Sequence, residues 1–186
     1  MIANKPEIVT QKRIIKMFEN PELLGYTYLG DLKDEENNSN IEKELLEKYL
    51  KDKYDPVLIE NAIIELDKVA TNQNKKLYDI NKEMYSLLRY GVNLKENAGD
   101  NKQTVELINW KEPTKNHFYI AEEVTIKGQH TKRPDIVLYV NGIALVVLEL
   151  KRSSVSVEQG IRQNLDNQKS EFIKNFFATI QIVMAG

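Results

Sequence analysis

At 186 residues, with a formal net charge of −2, 41% hydrophobic and 29% charged residues, the chain has the size and balance of one well-buried domain with room for a small appendage. The absence of cysteine excludes a disulfide framework and a thiolate metal site, and neither a bilayer-spanning apolar run nor a secretory leader is seen, so the cytoplasm is the expected compartment. A slightly acidic chain is also a poor autonomous DNA binder, because duplex affinity needs many cationic phosphate contacts; if it acts on DNA, something else holds the DNA for it.

Residues 7–18 carry Ile8, Ile14, Ile15 and Phe18 at helical spacing, and Asn20-Pro21 ends that pattern. Tyr26, Tyr28 and Leu29, set between Gly25 and Gly30, predict a short strand, followed by an acidic, Asn-rich exposed loop over 31–40. Residues 1–38 are read as an N-terminal appendage and 39–186 as the main domain. Ser39-x-x-Glu42 is a capping box that predicts a helix over 41–51, with Leu45, Leu46, Tyr49 and Leu50 inward. Asp55-Pro56 opens a second helix with Ile59, Ala62, Ile63, Leu66 and Val69 on one face, and a third, over 75–90, ends at Gly91. The polar stretch 95–101 divides this helical part, 39–94, from a sheet-and-helix part, 102–186.

Val105, Leu107 and Ile108 predict a strand ending at Trp110, and residues 117–126 a second, with Phe118, Ile120, Val124 and Ile126 on one face. Residues 128–132 form a loop in which His130, with Lys127, Lys132 and Arg133, either faces phosphates or is simply solvated. With His117 and His130 as the two histidines, no nucleophile–base pair of the triad type is visible. Two apolar runs, 136–140 and 143–150, flank Asn141-Gly142, the strongest short signal for a tight hairpin because both residues tolerate positive φ.

A plain two-residue turn would set Asp135 opposite Leu148 and leave Glu149 on the other face. A three-residue loop, with Gly142 as the left-handed residue of a bulge, sets Asp135 opposite Val147 and puts Asp135, Glu149 and Lys151 on one face. Two carboxylates that close repel unless a cation bridges them, all-oxygen ligation suits Mg²⁺, and an adjacent ammonium can orient a water or stabilise a phosphorane: a phosphodiesterase arrangement.

Pro134-Asp135 followed by Glu149-Leu150-Lys151 resembles the PD-(D/E)xK nuclease motif, and the whole block RPDIVLYVNGIALVVLELK resembles the N-terminal nuclease domain of the restriction, or motor, subunit of type I restriction–modification enzymes. The resemblance extends to Val105–Trp110 and to Gln163 and covers the first half of the chain more loosely. It implies a DNA endonuclease in which Asp135 and Glu149 hold Mg²⁺ and Lys151 activates the nucleophile. It also implies an extra acid on the first core helix, for which Glu42 or Glu44 is the candidate, although Glu42 also suffices as the capping-box acid. On the helix expected over 157–175, with Ile161, Leu165, Phe172 and Phe176 toward the sheet, Gln163 stands where the family's glutamine-x-x-x-tyrosine motif begins, and Asn167 replaces its tyrosine. Lys132, Arg133, Arg152 and Asn167 are candidate DNA contacts.

The expected fold is α/β, with a restriction-endonuclease-like core of a central mixed sheet flanked by helices and preceded by a helical N-terminal region. No glycine-rich loop with a following Lys-Ser/Thr occurs, so the ATP used by such a subunit would bind outside this chain, which is expected to be a fragment. The partners implied are double-stranded DNA and the methylation and specificity subunits. Other readings are a repair or junction-cleaving nuclease of the same fold, or a module that docks those subunits.

Overall fold

The computed structural model describes residues 7–72, 74–95, 102–152 and 154–186. In chain order these form α1 (Glu7–Glu19), β1 (Thr27–Asp31), α2 (Lys43–Leu50), α3 (Pro56–Ala70), α4 (Leu77–Tyr90), β2 (Val92–Leu94), β3 (Gln103–Val105), β4 (Phe118–Glu122), β5 (Ile136–Val140), β6 (Ile143–Glu149), α5 (Val157–Asn167) and β7 (Ile182–Ala185). A five-stranded mixed sheet runs in the order β1-β4-β5-β6-β7, with parallel outer pairs and antiparallel inner ones. The fold is thus α/β, as expected, and no helix among the described residues is long and apolar enough to cross a membrane.

The two sheet faces are filled differently. Ile120, Ile136, Leu138 and Leu148 meet Ile15 of α1 on one side. Tyr119, Val137, Tyr139 and Val147 meet Ile173, Phe176, Phe177 and Ile180 on the other. A third cluster joins α2, α3 and α4 to Leu107, Ile108 and Ile143, which seats the helical part on the turn end of the β5–β6 hairpin.

Local signals fix most helix ends. Asp55 caps α3 by accepting from Val57 N at 2.9 Å, with Pro56 at the first helical position. Gly91, at φ 78, closes α4. The capping box forms only in part. Glu42 accepts from Ser39 N, but its own N–H donates to Gly142 O at 2.7 Å, so α2 starts at Lys43 and the preceding residues pair with the hairpin.

Three expectations are corrected. The strand expected over 105–110 is absent: β3 ends at Val105 and pairs with β2 in a separate ribbon, while Leu107 O accepts from the Asn141 amide at 2.9 Å. β4 stops at Glu122, because Glu123 takes a left-handed φ of 52, which carries Val124 and Ile126 to the face opposite Ile120. The last helix ends at Asn167. Its inward residues are Gly160, Asn164 and Asn167, whereas Ile161 (48% exposed) and Leu165 (58% exposed) point outward. The composition break at 95–101 lies mostly outside the described residues.

The hairpin turn is a buried polar joint. Asn141 (φ 53) and Gly142 (φ 88) form a two-residue turn. The Asn141 side chain donates to Leu107 O and Asn116 Oδ1 and accepts from His117 N, with no exposure to solvent. Asn141→Ala leaves Leu107 O and His117 N unpaired and takes one of the donors from Asn116 Oδ1, which keeps Asn109 N, and unfolding in urea is expected to show a loss of about 3 kcal/mol; an unchanged midpoint would refute this role.

Candidate active site

The register that assembles the site comes from β6 rather than from the turn. Val140 pairs with Ile143 and Tyr139 with Ala144, but Leu138 pairs with Val146, so Leu145 is an extra residue. Leu145 packs toward the helical cluster and its carbonyl accepts from Gln181 N at 2.8 Å, which gives the bulge both an apolar and a polar anchor. Beyond it Ile136 pairs with Leu148, so the next residues, Asp135 and Glu149, stand opposite each other. The shared face anticipated from sequence is present, but by a bulge at Leu145 in place of a three-residue loop, and Asp135 faces Glu149, not Val147.

Asp135 Oδ2 accepts from Leu150 N at 2.6 Å. Glu149 is fully buried; its Oε2 accepts from Gln163 Nε2 at 2.8 Å and lies 3.6 Å from Lys151 Nζ. Its Oε1 is buried with no donor. Lys151 Nζ also donates to Leu150 O at 2.9 Å and lies 3.9 Å from Glu7 Oε1. Gly160 permits this approach of α5, since an added Cβ would sit 3.1 Å from Ala185 Cβ and 3.4 Å from Lys151 Cγ.

Burial raises both carboxyl pKa values. Glu149 is pushed up to about 8 by desolvation and then by the negative charge of Asp135, which Lys151 offsets only in part. Asp135 is raised by desolvation, opposed by the Leu150 N–H bond and Lys151.

These residues fit a hard divalent cation. The donor set is all oxygen, one carboxylate oxygen is buried without a partner, and two carboxylates face one another under mutual repulsion. Among the described residues no three His, Cys, Asp or Glu side chains form a ready-made metal cage. Mg²⁺ does not require one, since it commonly binds through one or two carboxylates and keeps several waters.

The helix-borne acid lies elsewhere than expected. Glu42 sits beside Gly142 at the turn end, about 20 Å along the strands from Asp135 at ~3.3 Å per residue, and Glu44 is an exposed residue of the same helix. Glu7 of α1 is the acid near Asp135 and Lys151. Sequence reading found α1 but nothing in its periodicity marks Glu7, because the contact is made across the sheet.

Two clefts flank the centre. One, of about 220 Å³, is lined by Glu7, Ile8, Gln11, Glu123, Asp135 and Arg152. The other, of about 400 Å³, is lined by Lys132, Gln159, Arg162, Gln163, Asp166 and Asn167. Arg152 and Lys132 therefore border the site, whereas Arg133 is held by Glu123 at 2.7 Å. Lys132 also lies 4.1 Å from the Phe172 ring centre, Lys127 pairs with Glu36, and the His130 ring packs near Phe172, so the basic loop has internal partners. Asn167 is buried with both amide atoms unpaired.

The chain has known relatives. The model of the type I restriction enzyme R protein N terminus matches residues 5–186. The chain is 31% identical over 143 residues to the type I restriction enzyme MjaVIIIP endonuclease subunit of Methanocaldococcus jannaschii, covering 72% of this chain and 13% of that protein. It is 31% identical over 132 residues to the type I restriction enzyme HindI endonuclease subunit of Haemophilus influenzae, covering 67% of this chain and 12% of that protein. The chain thus spans about an eighth of the length of these curated relatives. Since the family match runs through α1, the hairpin and α5 alike, the chain belongs to the family of type I restriction enzyme R protein N termini.

Proposed function

We propose that this chain is the nuclease part of a type I restriction R subunit, with a PD-(D/E)xK core that hydrolyses DNA phosphodiester bonds with Mg²⁺. The observation that carries the reading is the facing pair Asp135 and Glu149, with a buried donorless oxygen on Glu149 and the Lys151 ammonium 3.6 Å from its other oxygen. Asp135 and Glu149 would hold the metal, which supplies Lewis-acid polarisation of the phosphate. Lys151 keeps a fixed positive charge where negative charge develops and can orient the attacking water. Gln163 locks Glu149 through Oε2 and leaves Oε1 for the cation. Glu7 adds negative charge on the far side of Lys151.

Lys132 and Arg152 border the two clefts and are the proposed DNA contacts, whereas Arg133 is placed behind Glu123 and Asn167, 1% exposed, is too buried to touch DNA. At a net charge of −2 the domain relies on other parts of the subunit, and on the methylation and specificity subunits, to hold unmodified double-stranded DNA. ATP binds outside this chain. The test is cleavage of unmodified DNA by the complete enzyme carrying Asp135→Ala. Loss of Mg²⁺-dependent cutting with ATP hydrolysis retained is expected; wild-type cutting would reject the assignment.

A further inference from the structure

Glu123 is a non-glycine residue held at a left-handed φ of 52, directly after β4. Such a conformation persists only where the surroundings over-determine it. Here they do so from three sides. Its N–H donates to Asp135 O at 2.9 Å, and the next N–H, of Val124, donates to Pro134 O at 3.1 Å, so the bend grips the main chain of Pro134-Asp135 beyond the last regular β4–β5 pair, Glu122 with Ile136. Its carboxylate accepts from Gln11 Nε2 of α1 at 3.1 Å and pairs with Arg133 Nε at 2.7 Å. Gln11 is buried, and its amide also donates to Glu122 Oε2 at 2.8 Å, which in turn fixes the approach of the helix that bears Glu7.

We propose that Glu123 is a positioning residue for the carboxylate centre: its strained backbone sets the main chain of Asp135, and its carboxylate joins α1 to the segment entering β5. The proposal rests on the nuclease reading only for its consequence, since the geometry it describes is metal-free. A strand that simply ended at Glu122 would give Asp135 the freedom of a fraying strand end. The bend instead ties Asp135 on its main-chain side while Leu150 N–H ties its carboxylate, which leaves little rotation to either.

The test compares Glu123→Gly, Glu123→Ala and Arg133→Gln in the full-length chain by two readouts. Glycine adopts positive φ without strain and keeps the main-chain grip, whereas alanine keeps the strain and loses the ties that hold it. Hydrogen exchange of a peptide containing Leu150 is expected to speed up at least tenfold in Glu123→Ala, less in Glu123→Gly and least in Arg133→Gln, with β5 and β6 core amides unchanged. Mn²⁺ affinity by calorimetry is expected to fall in the same order, by about tenfold for the alanine variant. If the alanine variant unfolds, so that core amides accelerate as well, the glycine and arginine variants decide. Wild-type exchange at Leu150 in both of these would overturn the proposal. Accelerated exchange at Leu150 with no Mn²⁺ binding even in the wild-type chain would instead uphold the positioning role and reject the metal reading.

Discussion

Lys151→Ala is expected to reduce DNA cleavage by the complete enzyme a hundredfold or more while ATP hydrolysis stays near wild type. The Lys151 side chain is only 14% exposed, and its ammonium lies 3.6 Å from Glu149 Oε2 and is further held by Leu150 O and Glu7, so its charge is fixed near the carboxylates rather than dispersed in solvent. Loss of one preorganised donor at developing negative charge typically costs a hundredfold to a thousandfold in rate. Lys151→Arg is expected to rescue little, since a planar guanidinium spreads its charge over a fork in place of the single ammonium held near Glu149, Leu150 O and Glu7. A gel assay of linearised plasmid beside a phosphate-release assay checks this. Wild-type cutting by the alanine variant, with failure to assemble with partner subunits, would instead favour the docking alternative.

Glu149→Gln is expected to make the metal-free protein more stable at pH 8 and inactive. The sign follows from the raised pKa. The folded state binds the Glu149 proton more tightly than the unfolded chain, so the stability contributed by this group is complete below about 4.5 and is lost as pH rises through about 8. Over that interval the wild-type protein gives up on the order of 5 kcal/mol, at about 1.4 kcal/mol per pH unit. Glutamine does not titrate and still accepts from Gln163, so the variant's melting temperature should fall less with pH than that of the wild type, the remaining slope coming from Asp135. Mn²⁺ should restore the wild-type protein at pH 8 and leave the glutamine variant unmoved. Parallel pH profiles for the two proteins without metal would show that Glu149 is not the titrating group.

Sequence alone determined the parts of this protein whose causes are local. Asp55-Pro56 starts α3, Gly91 ends α4, and Asn141-Gly142 turns the hairpin, because capping and positive φ depend on residues adjacent in the chain. Of the residues proposed for the site, Asp135, Glu149 and Lys151 were legible for a related reason, as charges at the end of an otherwise apolar hairpin, which burial alone would not place there. Gln163 was legible only through the family resemblance.

Tertiary structure decided what depends on a partner distant in sequence. The bulge belongs to Leu145 because the helical cluster and Gln181 claim that residue, and neither is visible from the hairpin's own alternation. Glu7, not Glu42 or Glu44, reaches the site because α1 crosses the sheet at the Asp135 end while α2 docks on Gly142. The apolar stripe of α5 faces outward because the inward side must admit Gly160 against Lys151 and Gln163 against Glu149, and that demand is set by the site and not by the helix's hydrophobic period.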